Sequence, residues 1–431
     1  MNFIKKQPPT RLIALGFAFV ILLGSILLIM PFSVRDNVKL SYIDSLYTST
    51  SAVCVTGLLC VDIYDTFTPT GQFIVAALIQ IGGLGVTAVG AGIILALGKK
   101  VDLKSRTLVR ESMNLSSGKG IIHFLRDIFI TTFIFEVAGA ILSFIVFIKD
   151  YPPQRAIGMS FFHSIAAFNN SGFDIIGGFQ NLIPYQSNIL LNLVTCTLIF
   201  FGGIGFLVIK ELFIYRFRWK KLSMHSKVVI SVSLVLTVVG TLLIYATENI
   251  PLLGAFFASI TTRTAGFSTY SYGAFTNAGI IVMILLMFIG ASPGSTGGGI
   301  KTSTFFVLLQ GIKSSATNKS EKAFHYSIPK DAFRKAAVIS TLAVSIIIIS
   351  TYILCITDPA VSIRDALFEM VSAFSTVGLS TGISPSLSVG GKVVSLLIMY
   401  IGRLGPLTIA SMWYFSRGER VSYPQGNISI G

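Results

Sequence analysis

Charge is what this sequence has least of. Only 12% of its 431 residues are Asp, Glu, Lys or Arg, against 53% hydrophobic residues. A soluble chain of this length carries about a quarter charged residues, so an ordinary soluble globular protein is excluded. Cysteine and histidine are equally scarce, with four of each. Cys54, Cys60, Cys196 and Cys355 show no CxxC or metal-ligand spacing and read as buried apolar thiols, and no histidine pair falls at i, i+4. The first apolar run, Leu12 to Phe32, is expected to be a permanent span and not a cleavable leader, because it is too long for a signal-peptide core and no small-residue cleavage site follows it.

Several apolar runs reach the roughly 20 residues that a bilayer-spanning helix needs, and mean hydropathy is +0.78. The expectation is an all-α polytopic membrane protein in a lipid bilayer. The net charge of +15 sits in five clusters: near residues 5–11, 99–119, 210–227 and 313–335, and at Arg417 with Arg420. The loops between them hold few basic residues. The positive-inside rule puts those clusters in the cytoplasm, with both termini, in a plasma (inner) membrane. Nucleic-acid binding, the other reading of a pI near 9.7, does not suit charge confined to short loops beside apolar spans.

One pattern recurs four times. A short apolar-aromatic run leads into small and hydroxyl residues, then Gly, then Leu or Phe, at Gly57, Gly172, Gly266 and Gly378. The spacings are 115, 94 and 112 residues, which marks a fourfold internal repeat. The divisions are 1–112, 113–222, 223–330 and 331–431, the last including a cytoplasmic tail. Each repeat reads as span, pore stretch, span. The pore stretches are too short to cross a bilayer and suit re-entrant segments. Eight spans and four re-entrant pore helices in pseudo-fourfold arrangement round one pore return the chain to the same side every repeat. Each second span also carries its own glycine signature, at Gly82, Gly202, Gly290 and Gly402, and these follow the pore glycines by 25, 30, 24 and 24 residues. Small residues let helices approach closely in lipid, and placed mid-span they break or kink a helix.

Non-helical backbone at membrane depth survives only where it is buried or lines water. A glycine in each arm opens torsions closed to other residues, so carbonyls from four arms can point at one axis and replace a cation's hydration shell. The short helix before each arm would aim the negative end of its dipole there. The lining groups are Val55, Thr56 and Gly57; Asn170, Ser171 and Gly172; Thr264, Ala265 and Gly266; Thr376, Val377 and Gly378. None is a carboxylate, which favours a monovalent cation over calcium.

With these motifs the chain resembles, over about residues 10–415, the superfamily of Trk, Ktr and HKT potassium transporters, and among them the bacterial Ktr membrane subunit. The match rests on the arms ending Thr-Gly-Leu, Ser-Gly-Phe, Thr-Ala-Gly-Phe and Thr-Val-Gly-Leu and on the glycine-rich second spans. The resemblance implies potassium (K+) as substrate at the filter residues, a homodimer with one pore per chain, a cytoplasmic RCK-type ring of nucleotide-binding regulatory subunits, and in many members activation by sodium (Na+). It implies no covalently bound cofactor. It also gives the tail a part in the dimer.

The third second-span is interrupted at 290–301. Pro293 and the five glycines Gly290, Gly294, Gly297, Gly298 and Gly299 cannot stay a regular helix. A loop there, with Ser292 and Lys301, is the natural barrier below the filter, and the resemblance gives it the same role. Arg403 in the fourth repeat is a buried cation whose expected partners are carbonyls of that loop. Arg263 and Glu369 are read as an ion pair behind the filter. Glu136 is read either as a proton or sodium site or as a hydrogen-bonded bundle residue. Gly290 to Gly294 also fits a G-x-S-x-G elbow, but no strand precedes it and no histidine lies near it. Gly294 to Gly299 fails the P-loop pattern because Ile300 follows. No enzyme activity is expected. A channel-like conductor is set against a carrier coupled to sodium or protons by alternating access, and against an intramembrane enzyme.

Overall fold

The computed structural model describes residues 7–97, 101–113, 120–329 and 331–411. The tail Arg417–Gly431 and the basic residues Lys99, Lys100, Lys119 and Lys330 lie outside the described residues.

The helices are α1 (Pro9–Ile29), α2 (Tyr42–Val53), α3 (Ile63–Thr66), α4 (Pro69–Leu84), α5 (Val86–Ala96), α6 (Leu103–Ser112), α7 (Ile121–Phe147), α8 (Pro153–Phe168), α9 (Ile189–Ile204), α10 (Phe206–Tyr215), α11 (Met224–Thr247), α12 (Leu252–Thr261), α13 (Asn277–Phe288), α14 (Thr302–Thr317), α15 (Ala332–Thr357), α16 (Ile363–Phe374), α17 (Val389–Leu404) and α18 (Pro406–Ser411). A two-stranded hairpin, Lys322–Ala323 with Tyr326–Ser327, joins α14 to α15. One order recurs four times: a long apolar helix, a short buried helix, a glycine in the left-handed region, and a second, interrupted helix.

The long helices α1, α7, α11 and α15 have mean hydropathies of 2.9, 2.2, 2.5 and 2.4 over their most apolar windows. Their outward faces are bare: Phe19 is 66% exposed, Phe133 68%, Leu242 59% and Tyr352 67%. Bare apolar faces on helices of bilayer length are what lipid requires. The second helices are started alike. Thr68, Asn188, Thr276 and Ser388 each cap one by accepting from the backbone N–H three residues on.

These second helices do not cross straight. At Gly85 and Gly205, with φ of +89° and +93°, the chain turns by 101° between α4 and α5 and between α9 and α10. Gly405, also at +89°, separates α17 from α18. Among the described residues, four helices are long and apolar enough to cross a membrane, or six if each bent pair counts as one span. The cause is local. Glycine alone adopts that φ cheaply, and it stands at the break in three of four repeats.

Packing explains the other glycines. A Cβ at Gly82 would strike Val53 O, at Gly202 Phe168 O, and at Gly402 Phe374 O. Each second helix therefore lies directly on the last turn of its own short helix. Gly24, Gly139 and Gly240 do the same on the long helices: a Cβ there would meet Ser49 Oγ, Ser164 Oγ or Ser259 Oγ. Those serines donate to Ile21 O at 2.7 Å, Glu136 O at 2.6 Å and Thr237 O at 2.9 Å. Short buried helices are thus clamped on both sides by small residues. Lys392 on α17 meets Asp44 on α2 at 2.7 Å and links the fourth set of helices to the first.

Candidate functional site

The four short helices α2, α8, α12 and α16 end two or three residues before the arms. Each arm has two left-handed residues, the glycine and the residue two before it. The pairs are Val55 (+56°) with Gly57 (+95°), Asn170 (+58°) with Gly172 (+69°), Thr264 (+79°) with Gly266 (+78°), and Thr376 (+50°) with Gly378 (+93°). β-Branched residues at positive φ are genuine outliers, and three of the four partners are Val or Thr. Such strain persists only where surroundings over-determine it, and it concentrates at functional sites.

The arms close a ring. A Cβ on Gly57 would collide with Ser171 O, on Gly172 with Ala265 O, on Gly266 with Val377 O, and on Gly378 with Thr56 O. Each glycine thus faces the carbonyl that precedes the next arm's glycine, and the fourth returns to the first. All eight non-glycine arm residues are fully buried. Their N–H groups turn outward, away from the ring: Thr56 N–H donates to Ser51 O at 2.8 Å, Ser171 to Ala166 O at 2.9 Å, Ala265 to Thr261 O at 2.9 Å, and Val377 to Ser372 O at 2.9 Å. Gly57 and Gly378 donate to Ser51 Oγ and Ser372 Oγ at 3.0 and 3.1 Å. The carbonyls of Thr56, Ser171, Ala265 and Val377 accept no hydrogen bond from any described residue. Buried carbonyls are almost always satisfied, and these four, without a partner among the described residues, leave oxygens on the ring free to meet positive charge.

The 289–301 segment lies against this ring. Ile289 and Ile300 pair at its base. Ser292 N–H donates to Gly203 O at 3.0 Å, and Thr296 Oγ1 to Gly202 O at 3.2 Å, so the loop is tied to α9. Phe206 N–H donates to Gly294 O at 3.0 Å. At its tip, Gly298 N–H donates to Thr376 Oγ1 at 2.9 Å, and a Cβ on Gly297 would strike Thr264 Oγ1. The tip therefore touches arms three and four. Pro293 O lies beside Gly205, at the α9–α10 turn. Lys301 Nζ donates to Gly297 O at 2.6 Å and Gly298 O at 3.3 Å. The Arg403 guanidinium donates to Thr296 O, to Gly82 O, and to Gly83 O at 3.4 Å. It joins the loop to α4 as well as to α17. Beyond the loop, on the side of Thr10, Thr87 and Arg110, is a cavity of about 810 Å³ lined also by Gly83, Gly294, Gly297, Lys301 and Arg403. Gly290 breaks the pattern of its three counterparts, because a Cβ there would meet Gly298 O of the loop and not the end of a short helix.

Arg263 and Glu369 do not pair. Arg263 donates through Nη1 to Ser233 O at 2.9 Å and through Nη2 to Ser233 Oγ at 3.1 Å. Glu369 accepts from Ser380 Oγ at 2.8 Å and from Ser384 Oγ. Each charge is met within its own repeat, by the first long helix in one case and by the loop after the arm in the other. A double-mutant cycle tests this: the stability losses of Arg263→Met and Glu369→Gln, read from unfolding in detergent, add to within about 0.5 kcal/mol, as for uncoupled sites. A coupling above about 1 kcal/mol would contradict the separation. Glu136 accepts from Asn169 Nδ2 at 3.0 Å, and the same amide donates to Gln80 Oε1 at 2.8 Å. That ties the residue before arm two to α7 and α4.

Sequence reasoning missed the residues that fix the arms from outside. Asp62, Asp65, Asp174 and Asn181 carry no motif, and only their place just after two of the pore glycines could have drawn notice.

A membrane-embedded helical protein with four strained arms around one ring of free carbonyls defines a class, that of ion-conducting or ion-carrying membrane proteins. A family profile described as TrkH, cation transport protein, matches residues 17–416, and the chain belongs to that family of multi-pass membrane transporters. It is 36% identical over 444 residues to the Ktr system potassium uptake protein B of Bacillus subtilis, covering 100% of this chain and 98% of that one. It is 35% identical over 445 residues to the potassium/sodium uptake protein NtpJ of Enterococcus hirae, covering 99% and 98%. The fold matches the crystal structure of the potassium transporter TrkH from Vibrio parahaemolyticus with a TM-score of 0.73, at 18% identity, over 94% of this chain and 85% of that one.

Proposed function

We propose that this chain takes up potassium through a channel-like pore, with the four arms as its selectivity filter and the 290–301 loop, Lys301 and Arg403 as its gate. The observation that carries the reading is the ring of four unsatisfied carbonyls, Thr56, Ser171, Ala265 and Val377. Carbonyl oxygens suit a weakly hydrated monovalent cation. The short helices behind the arms add the negative ends of their dipoles. The family and the names of the relatives support a cation, and potassium in particular. Eight membrane segments in four repeats, with both termini and the basic loops in the cytoplasm, follow from the same reading. So do a homodimer with one pore per chain and a nucleotide-binding ring docked on loops 99–119, 210–227 and 313–335. The relatives named as parts of a Ktr system fit a multi-subunit assembly. Sodium as an activator belongs to this proposal as well.

Tracer flux into liposomes holding the purified chain tests the reading. The expected result is potassium entry down its gradient, faster than carrier turnover and with no stoichiometric sodium or proton movement. Strict one-to-one coupling to sodium or protons would favour the carrier.

A further inference from the structure

Where α10 ends, the chain bares a run of side chains that the pore does not use. The nine residues 213–221 are all exposed. Five are aromatic or aliphatic, from Phe213 to Trp219, and four are basic: Arg216, Arg218, Lys220 and Lys221. No acid stands among them. The acids at the base of the run are engaged. Asp127 on α7 pairs with Lys210 at 2.7 Å, and Glu211 Oε2 accepts from Ser223 N–H at 3.0 Å, at the start of α11. None of the four basic residues makes an ion pair among the described residues. Backbone bonds fix the turn: Phe217 N–H donates to Leu212 O at 3.1 Å, Arg218 N–H to Tyr215 O at 3.0 Å, and Leu222 N–H to Trp219 O at 3.2 Å. Leu222 is buried and pins the far end. Trp219 meets Phe324 edge to face, with ring centroids 6.0 Å apart. That contact joins the run to the hairpin between α14 and α15, where Lys322 and Tyr326 are also exposed. Glu321, the acid before the hairpin, is half-buried and stands between Lys319 and Lys322 in the chain. The two pieces make one aromatic and basic shelf across the second and third repeats.

We propose that this shelf is a binding surface for the headgroups of anionic phospholipids in the cytoplasmic leaflet. The leaflet rests on the topology of the proposed function; the lipid chemistry does not. Amphipathic aromatic rings settle at the boundary between bilayer and water. Basic side chains beside them are drawn to negatively charged headgroups. From Tyr215 to Lys220 the two kinds alternate residue by residue. Each ring can enter the boundary while the cation next to it stays at the level of the phosphates.

The geometry holds the shelf at that boundary. The chain turns by 101° from α9 into α10, so α10 leaves the direction of the helix before it. Its last turn bares Phe213 and Ile214, apolar side chains that a bilayer covers at no cost in hydration. The Glu211–Ser223 bond ties the two ends of the run together. The residues between those ends can loop out by no more than about 20 Å when fully extended. The left-handed turn at Arg216 and Phe217 and the tight turn at Trp219–Lys221 shorten that reach. The rings therefore stay close to the ends of the membrane helices that they connect. The shelf lies within two of the loops assigned above to the regulatory ring, and it leaves the ring the remainder of those loops together with 99–119.

The test is quenching of Trp219 fluorescence by brominated lipid. The chain has two tryptophans, Trp219 and Trp413, so Trp413→Phe leaves Trp219 alone. The full chain with that change is reconstituted in vesicles of phosphatidylcholine and phosphatidylglycerol. The same mole fraction of one lipid or the other is brominated near the head end of its acyl chains. Quenching is expected to report an about fivefold enrichment of phosphatidylglycerol around Trp219, the gain that one basic residue at the surface gives, and the enrichment is expected to shrink at high salt. Arg216→Gln, Arg218→Gln, Lys220→Gln and Lys221→Gln made together are expected to abolish the preference while brominated phosphatidylcholine still quenches. Arg216→Lys with Arg218→Lys is expected to keep it. Equal quenching by the two lipids, or a preference that survives the four Gln changes, overturns the inference. So does quenching by neither, which would leave the shelf to a protein partner. Should the combined variant not fold, the preference of the parent chain at low against high salt decides. Lys221→Cys with an impermeant maleimide separates the two levels. Labelling from outside intact cells would overturn the leaflet, and the topology with it, whatever the quenching shows. Labelling in inside-out vesicles alone, with equal quenching by both lipids, leaves the topology standing and refutes the shelf.

Discussion

Gly266→Ser reduces the potassium-over-sodium permeability ratio by about tenfold, equivalent to about 1.4 kcal/mol of differential coordination. Gly266 holds φ at +78°, and a Cβ there would collide with Val377 O. The backbone cost alone is about 1–2 kcal/mol for an L-residue in this region. The steric cost falls on a ring carbonyl that has no hydrogen bond to resist displacement. Gly382→Ala is the control. Gly382 sits at +103° with nothing within 4 Å of an added Cβ, so it incurs backbone strain without moving a ring oxygen. The ratio changes for the first variant and stays for the second. Equal effects from both would assign the loss to strain in general and not to the ring.

Removing the loop tip, Ser295 to Gly298, raises unstimulated potassium flux by about tenfold or more. The tip lies between the ring and the 810 Å³ cavity, and it is held by Thr376 Oγ1, Gly202 O and the Arg403 guanidinium. Arg403, which donates to Thr296 O of the tip, places a fixed cation on the route of another. At about 4 Å and an effective dielectric of 20 such a charge repels by about 4 kcal/mol. Arg403→Gln keeps a donor for Thr296 O but removes the charge, and it raises flux in the same direction by a smaller factor. Lower flux from both variants at normal expression would make the loop and the arginine structural supports of an open path. The readout is rubidium uptake at matched protein density, without any regulatory subunit.

Much of the ring of arms can be read from the sequence because glycine marks torsions that other residues avoid. Gly57, Gly172, Gly266 and Gly378 recur at matched positions, and all four are left-handed. Their partners two residues earlier gave no such sign. Val55, Thr264 and Thr376 are β-branched residues that local rules place in extended backbone, and only the surrounding helices force them otherwise. The breaks after Gly82, Gly202 and Gly402 were legible as glycine clusters, but turns of 101° at the first two depend on where α5 and α10 find room to pack. The Arg263–Glu369 pairing was wrong for a related reason. Sequence shows two opposite charges near two arms, but not that the Ser380–Ser384 turn folds back over Glu369, nor that Ser233 on α11 meets Arg263. Asn181 was illegible because an isolated asparagine between Gln180 and Leu182 has no local pattern. Its four partners, Gly172 O, Asp174 Oδ2, Leu182 N–H and Ser268 N–H, come from three stretches of chain.

The most direct measurement is anomalous diffraction from crystals grown with rubidium or thallium in place of potassium. The account predicts an anomalous peak on the ring axis, coordinated by the carbonyls of Thr56, Ser171, Ala265 and Val377, and its weakening when sodium replaces the heavy cation. A peak confined to the cavity beside Arg110 and Met113, or beside Glu136, with none between the arms, would contradict it.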